Sequence, residues 1–163
     1  PVVQMVFVRV ETEVYGRQSW GISSDLLPPK WFTKVPADPR EEEIADMRRV
    51  IGRAMSNSLG VEAPTAFAAW RTIYGQQAAW AKAENIAPLL AHFGTSLVER
   101  ALIESVCRAT GQPLGQALGP MASATINKAA LAIVPRGHVQ HLAQRLVARD
   151  DAVREVGPVE LAT

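Results

Sequence analysis

Residues 96–118 read SLVERALIESVCRATGQPLGQAL, and the helix written into this stretch decides the fold. Ser96, with Glu99 three residues on, has the form of a capping box, in which each side chain satisfies an orphan backbone N–H at a helix start. Val98, Leu102, Val106 and Ala109 recur at steps of four and three, with Ile103 and Cys107 beside them. That spacing builds one wide apolar stripe. Glu99, Arg100, Glu104 and Arg108 fall mostly off the stripe. Thr110-Gly111 supplies a stop, and Pro113 prevents the helix from resuming.

At the other end of the chain, Val2 to Thr12 (VVQMVFVRVET) is rich in β-branched residues. Val6, Val8 and Val10 alternate with Phe7, Arg9 and Glu11, the period of a strand with one face on a core. Tyr15-Gly16 predicts a tight turn, with glycine supplying positive φ. Arg17 to Ile22 returns as a second strand. The pair reads as an antiparallel hairpin, which is marginal in water and requires a third strand or a helix against it. Ser23 to Asp38 (SSDLLPPKWFTKVPAD) is expected to be a long loop, because Pro28, Pro29 and Pro36 remove donors and restrict their predecessors. It carries Asp25, Lys30, Trp31, Phe32 and Lys34. Two readings stay open: a functional loop over a binding site, or an ordered surface loop pinned to the core by Trp31 and Phe32.

Two helices are expected between the loop and residue 96. The first starts with Asp38 as N-cap, Pro39 at the first helical position and Glu41 completing a capping box. Glu41, Glu42 and Glu43 complement the positive end of its dipole. Ile44, Met47, Ile51, Ala54 and Met55 form its buried stripe. Arg48, Arg49 and Arg53 read as a solvated face with glutamate partners in preference to a phosphate patch, and Gly60 is the stop. The second helix spans about 65–85, with Pro64 just ahead of it. Phe67, Trp70, Tyr74, Ala78 and Ala81 keep helical spacing and read as core. Gly75 costs roughly 1 kcal/mol against alanine in mid-helix, which suggests close approach of another element. Residues 86–95, with Pro88 and Gly94, read as a connector containing a short turn through Leu89 to His92, and His92 as structural.

Beyond Leu118, Gly119-Pro120 breaks the chain. Met121 to Val134 is alanine-rich and expected to be helical. After Pro135-Arg136-Gly137, a further helix is expected over 138–156, with Val139, Leu142, Leu146 and Val153 on one face. His138 and His141 share a face there, but no acid or cysteine offers a third ligand, so no metal site is read. Residues 157–163 read as a frayed tail.

The 163-residue chain has 17 basic and 16 acidic residues and a net charge of +1. No global field points to nucleic acid or a membrane surface. Hydrophobic content of 48% supports a packed core. One cysteine excludes an internal disulfide and fits a reducing, cytoplasmic compartment. Cys107 lies on the apolar stripe and reads as packing. No run approaches the roughly 20 apolar residues of a membrane span, and no signal peptide is recognisable. A chain opening on Pro1 instead of Met reads as one that begins within a gene or has been processed.

The 96–114 pattern runs small-apolar-Glu-Arg-Ala, two apolar residues, an acid, Cys, Arg, and then Gly-x-Pro-apolar. It resembles the enolase superfamily, in its mandelate racemase/muconate lactonizing enzyme branch. There such a helix ends an N-terminal capping domain and leads into a catalytic barrel. VFVRVET resembles that family's strand of apolar-x-apolar-Arg-apolar-x-Thr form. Ser19-Trp20-Gly21 resembles the following Gly-Trp-Gly-Glu strand, with Ile22 in place of Glu. The resemblance covers residues 2–118 and implies an α+β unit, an antiparallel hairpin or meander followed by a helical bundle, with 119–163 as a helical extension. It implies that the loop after the second strand folds over the barrel mouth, where Asp25, Lys30 and Trp31 would contact substrate. The family's first strand would precede Pro1. The family's Lys or His base and acidic Mg²⁺ ligands come from the barrel, which takes at least ~200 residues. Only 45 residues follow Leu118. No catalytic or metal residue is therefore assigned in this chain, and no cofactor.

The function this implies is the capping portion of a parent that removes a proton next to a carboxylate with Mg²⁺, on a small carboxylate substrate, without catalysis by this chain itself. The competing function is a non-enzymatic interaction or dimerisation module, with 120–156 folded back over the apolar surface. A nucleic-acid-binding reading would rest on Arg48, Arg49, Arg53, Arg145, Arg149 and Arg154, and the near-zero net charge argues against it. Self-association is expected from surface meant for the absent barrel.

Overall fold

The computed structural model describes residues 4–32, 40–117 and 131–133. They form β1 (Met5–Val14), β2 (Arg17–Leu26), α1 (Arg40–Ser58), β3 (Glu62–Ala63), α2 (Ala66–Ala83), α3 (Pro88–Thr110) and β4 (Leu131–Ile133). The class is α+β, an antiparallel hairpin followed by helices. The hairpin turns at Tyr15 and Gly16, with φ of 51° and 76°, as a two-residue loop with positive φ at both positions requires.

Strand alternation behaves as its period dictates. Val6, Val8, Val10, Thr12 and Val14 are all buried on one face of β1. Across the hairpin, the middle of β2 presents small residues to the same side, Ser19, Gly21 and Ser23, with Arg17 and Asp25 at its two ends. Helix α3 therefore lies close on β2. A Cβ on Gly21 would stand 2.0 Å from the carbonyl oxygen of Ala101 and 2.6 Å from the Ser105 nitrogen. The serines tie the two elements together: Ser19 Oγ donates to the Ser105 carbonyl at 2.8 Å and Ser23 Oγ to the Leu97 carbonyl at 2.6 Å. The Thr12 and Ser105 hydroxyls are hydrogen-bonded in the buried layer between β1 and α3.

The three helices meet at one backbone carbonyl. A Cβ on Gly94 of α3 would come within 2.3 Å of Val50 O on α1. The buried Gln77 of α2 donates from Nε2 to both Val50 O and Ala91 O, each at 3.0 Å, and accepts from Asn57 Nδ2 at 3.0 Å. One amide side chain thus bridges α1, α2 and α3, as a polar group buried this deeply must be satisfied. Ile44, Met47, Ile51, Ala54 and Met55 are buried on α1, as their spacing predicts.

Several expectations are corrected. Helix α3 does not start at Ser96. It begins eight residues earlier, with Pro88 at its first turn and Ala87 as a cap without a side-chain bond. Ser96 is inside the helix and donates to the Phe93 carbonyl, so no capping box exists there. Gly94 reads as a break in sequence, yet it is the contact point with α1. The stripe is centred one residue over: Leu97, Val98, Ala101, Leu102 and Ser105 are buried, whereas Val106 and Ala109 are only partly so. The stop at Gly111 holds, with φ of 68°.

On α2, Thr65 caps the helix by accepting from Ala68 N–H. The buried residues are Ala66, Ala69, Ile73, Gln77 and Ala81. Phe67 and Tyr74 face outward in a row of ring contacts, Phe67 stacked on Trp70, Trp70 tilted against Tyr74, and Tyr74 stacked on His92. Helical spacing identifies faces but does not say which one wins, and here close helix packing selects the alanine face. Among the described residues, nothing lies within 4 Å of a Cβ on Gly75, so no described element approaches it.

Strand β2 runs on to Leu26, so Ser23 to Leu26 are strand and not loop. The helix expected over 121–134 is contradicted at Leu131–Ile133, which pair antiparallel with Val14, Glu13 and Thr12 and give the sheet order β2-β1-β4-β3. Alanine-rich composition is a local preference, and sheet pairing overrides it. The Asp38 cap, Pro39, Lys34 and the expected helix over 138–156 with His138, Val139, His141, Leu142, Leu146 and Val153 lie outside the described residues. No described helix is long and apolar enough to cross a membrane.

Candidate functional site

The chain leaves β2 at Leu26, and Leu27 N–H donates back to the Gln4 carbonyl at 2.8 Å. Pro28 to Phe32 then crosses the N-terminal half of α1. Lys30 takes a left-handed conformation, φ 65°, which turns both its ends toward one residue. Its backbone N–H donates to Glu43 Oε2 at 2.5 Å, and its ammonium lies 2.9 Å from Glu43 Oε1. Glu43 is 6% exposed. A carboxylate buried to that degree requires a charged partner, and Lys30 supplies one. Phe32 packs on Phe93 of α3, with ring centroids 4.8 Å apart. Trp31 is 67% exposed. Of the two aromatic pins expected for this loop, Phe32 acts as one and Trp31 does not.

Between the loop and α1 lies an indentation lined by Pro28, Lys30, Phe32, Glu43, Asp46, Met47 and Leu90, of about 10 Å³. That is room for a single water molecule. The described residues therefore enclose no substrate cavity at this place. They offer a lysine already committed to Glu43, an exposed indole beside it in sequence, and Asp46 at the rim.

Asp25 belongs to a different neighbourhood. It stands on β2 and pairs with Arg100 Nη2 of α3 at 2.8 Å. Both partners are well exposed, so this pair is worth at most about 1 kcal/mol. Arg100 Nη1 also donates to the Ser24 carbonyl at 3.2 Å. One turn further on, Glu104 accepts the outward N–H of Ile22 and pairs with Arg108 at 2.5 Å. The Ile22 N–H, and then Arg108, hold the Glu104 carboxyl below its ordinary range. Arg108 lies over the Trp20 ring, 4.0 Å from its centroid, with Arg9 5.0 Å away. Arg17 donates to the Ala109 carbonyl at 3.3 Å. These α3 side chains cover the outer edge of β2.

The three residues expected to contact substrate are thus split: Lys30 is bound to α1, Asp25 to α3, and Trp31 projects into solvent. Glu43 and Arg100, which position them, escape a reading based on the loop. Glu43 is legible in hindsight, since it stands four and seven residues before Met47 and Val50 on the buried face. Arg100 carries no such signal, because its partner is 75 residues away.

No group of three or more His, Cys, Asp or Glu among the described residues could hold a metal ion. Cys107 is half-buried, and burial, followed by the Glu104 charge, pushes its thiol up, away from reactivity. Burial lowers His92, which stacks face to face on Tyr74 at 3.8 Å. Comparisons with protein-family models, curated proteins and solved structures return no match.

Proposed function

We propose that this chain is the capping-domain portion of an enolase-superfamily-like protein, of the mandelate racemase/muconate lactonizing enzyme type, and does not catalyse by itself. The observation that carries the reading is the order of parts. A hairpin built on VFVRVET and Ser19-Trp20-Gly21 is followed by three helices. The last closes at Gly111, directly before Gln112-Pro113-Leu114. In a complete parent, Mg²⁺ held by the barrel would stabilise the enediolate formed next to a carboxylate. The segment Pro28–Phe32 would then edge the substrate, with Trp31 excluding water. Lys30 would meet a substrate carboxylate only by sharing its ammonium with Glu43.

The test is the coding DNA on either side of this reading frame. The expected finding is a downstream barrel with a Lys-x-Lys pair and three spaced acids. Flanking DNA without them overturns the reading. A second reading, a non-enzymatic interaction or dimerisation module, is favoured by one observation: the outer face of the hairpin exposes Met5, Phe7, Ile22 and Leu26 together. Such a patch on a domain surface marks a contact site.

A further inference from the structure

The two long edges of the hairpin are treated differently. On β2, Glu104 takes the Ile22 N–H, Arg100 takes the Ser24 carbonyl, and Arg17 reaches across to α3. Blocking an edge in this way prevents another strand from adding to it. On the far side of β1, β4 pairs with only Thr12, Glu13 and Val14. Among the described residues no strand covers Met5 to Glu11 on that side.

The direction of the backbone groups follows from two bonds. Ile22 N–H points away from β1, and Ile22 stands opposite Arg9. In an antiparallel pair, two residues that point away from each other form the non-hydrogen-bonded rung. Arg9 therefore directs its N–H and C=O to the far side. By the alternation of period two, so do Met5, Phe7 and Glu11. The even-numbered Gln4 conforms, since its carbonyl faces the hairpin and accepts from Leu27.

We infer that this edge pairs with the same edge of a second copy of the chain, antiparallel about a two-fold axis at Val8. A seven-residue edge bounded by β4 is used in full only in that register. Met5 then faces the partner copy's residue 11, Phe7 its residue 9, Val6 its residue 10, and Val8 its own counterpart. All four outward-directed residues fall on hydrogen-bonded rungs, so each of their N–H and C=O groups gains a partner. Val6, Val8 and Val10 extend one continuous buried layer across the axis. On the outer face each Phe7 ring lies beside an arginine, a favourable cross-strand pair. The contact is isologous and closes at two copies.

The test is sedimentation equilibrium of the full chain alongside Phe7→Lys and Phe7→Glu, with circular dichroism to confirm folding. Phe7 is 55% exposed, so neither change disturbs the core. The parent is expected to be a reversible dimer. Phe7→Lys places two cations on each of two symmetric rungs and should raise the dissociation constant about tenfold or more. Phe7→Glu places an acid opposite Arg9 and should change it by no more than about twofold. A monomeric parent overturns the inference. So does equal weakening by both variants, which would mean that outer faces stack, and so does indifference to both, which would place the contact elsewhere or the edge beneath another segment.

Discussion

Gly21 on β2 lies under Ala101 on α3 so closely that a Cβ on the glycine would stand 2.0 Å from the Ala101 carbonyl oxygen. The obstacle is backbone, and no rotamer change relieves it. Gly21→Ala should therefore lift α3 off the hairpin and break the Ser19 and Ser23 hydroxyl bonds with it. The expected loss is about 3 kcal/mol or more, at the upper end of overpacking effects. Urea unfolding measures it, and a loss below about 1 kcal/mol would contradict the contact.

Gly75 provides the opposite case. It lies inside α2, and among the described residues nothing is within 4 Å of where its Cβ would be. Gly75→Ala should stabilise the protein by roughly 0.5–1 kcal/mol, through helix propensity and the unfolded chain's lower entropy. Thermal denaturation would register this as a raised midpoint. A lowered one would show that α2 packs more closely at that point.

Gln77 holds α1 and α3 through Val50 O and Ala91 O and receives Asn57 Nδ2. Gln77→Leu keeps the volume but leaves the Asn57 amide without that acceptor. A cost of about 1–3 kcal/mol is expected. A double substitution with Asn57→Ala should recover part of it, and strict additivity of the two would argue against the bridge.

Lys30 and Glu43 should be coupled. Lys30→Met removes the ammonium from a buried carboxylate and should destabilise the fold at about pH 7. The same change made in Glu43→Gln protein should cost about 1 kcal/mol less, an interaction energy discounted for the exposed lysine. Independent effects in the double-mutant cycle would free Lys30 for the substrate role suggested by its loop.

Glu104 gives stability a pH dependence of defined sign. Its carboxyl is held below the ordinary value of 4.5 by the Ile22 N–H and Arg108. The folded protein thus binds this proton less readily than the unfolded chain. The contribution is complete above pH 4.5 and is lost as pH falls through the lower folded value. Urea midpoints of the parent and Glu104→Gln should differ at pH 7 and converge toward pH 3. A gap that stays constant would mean that the charge plays no part.

Periodicity in the chain was sufficient for the hairpin, its Tyr15-Gly16 turn, the buried valines of β1, the core face of α1 and the stop at Gly111. Each is a local pattern whose cause lies within a few residues: pleat alternation, helical repeat, or a backbone angle that favours glycine. The outward turn of Phe67 and Tyr74, the continuation of α3 through Gly94, the burial of Glu43 and the strand at Leu131–Ile133 depended on partners far along the chain. Asp25 meets Arg100 across 75 residues and Gly21 meets Ala101 across 80, and no local spacing encodes such a contact. Packing chose among faces that sequence patterns leave equivalent, because a helix settles where backbones approach most closely and buried polar groups find partners.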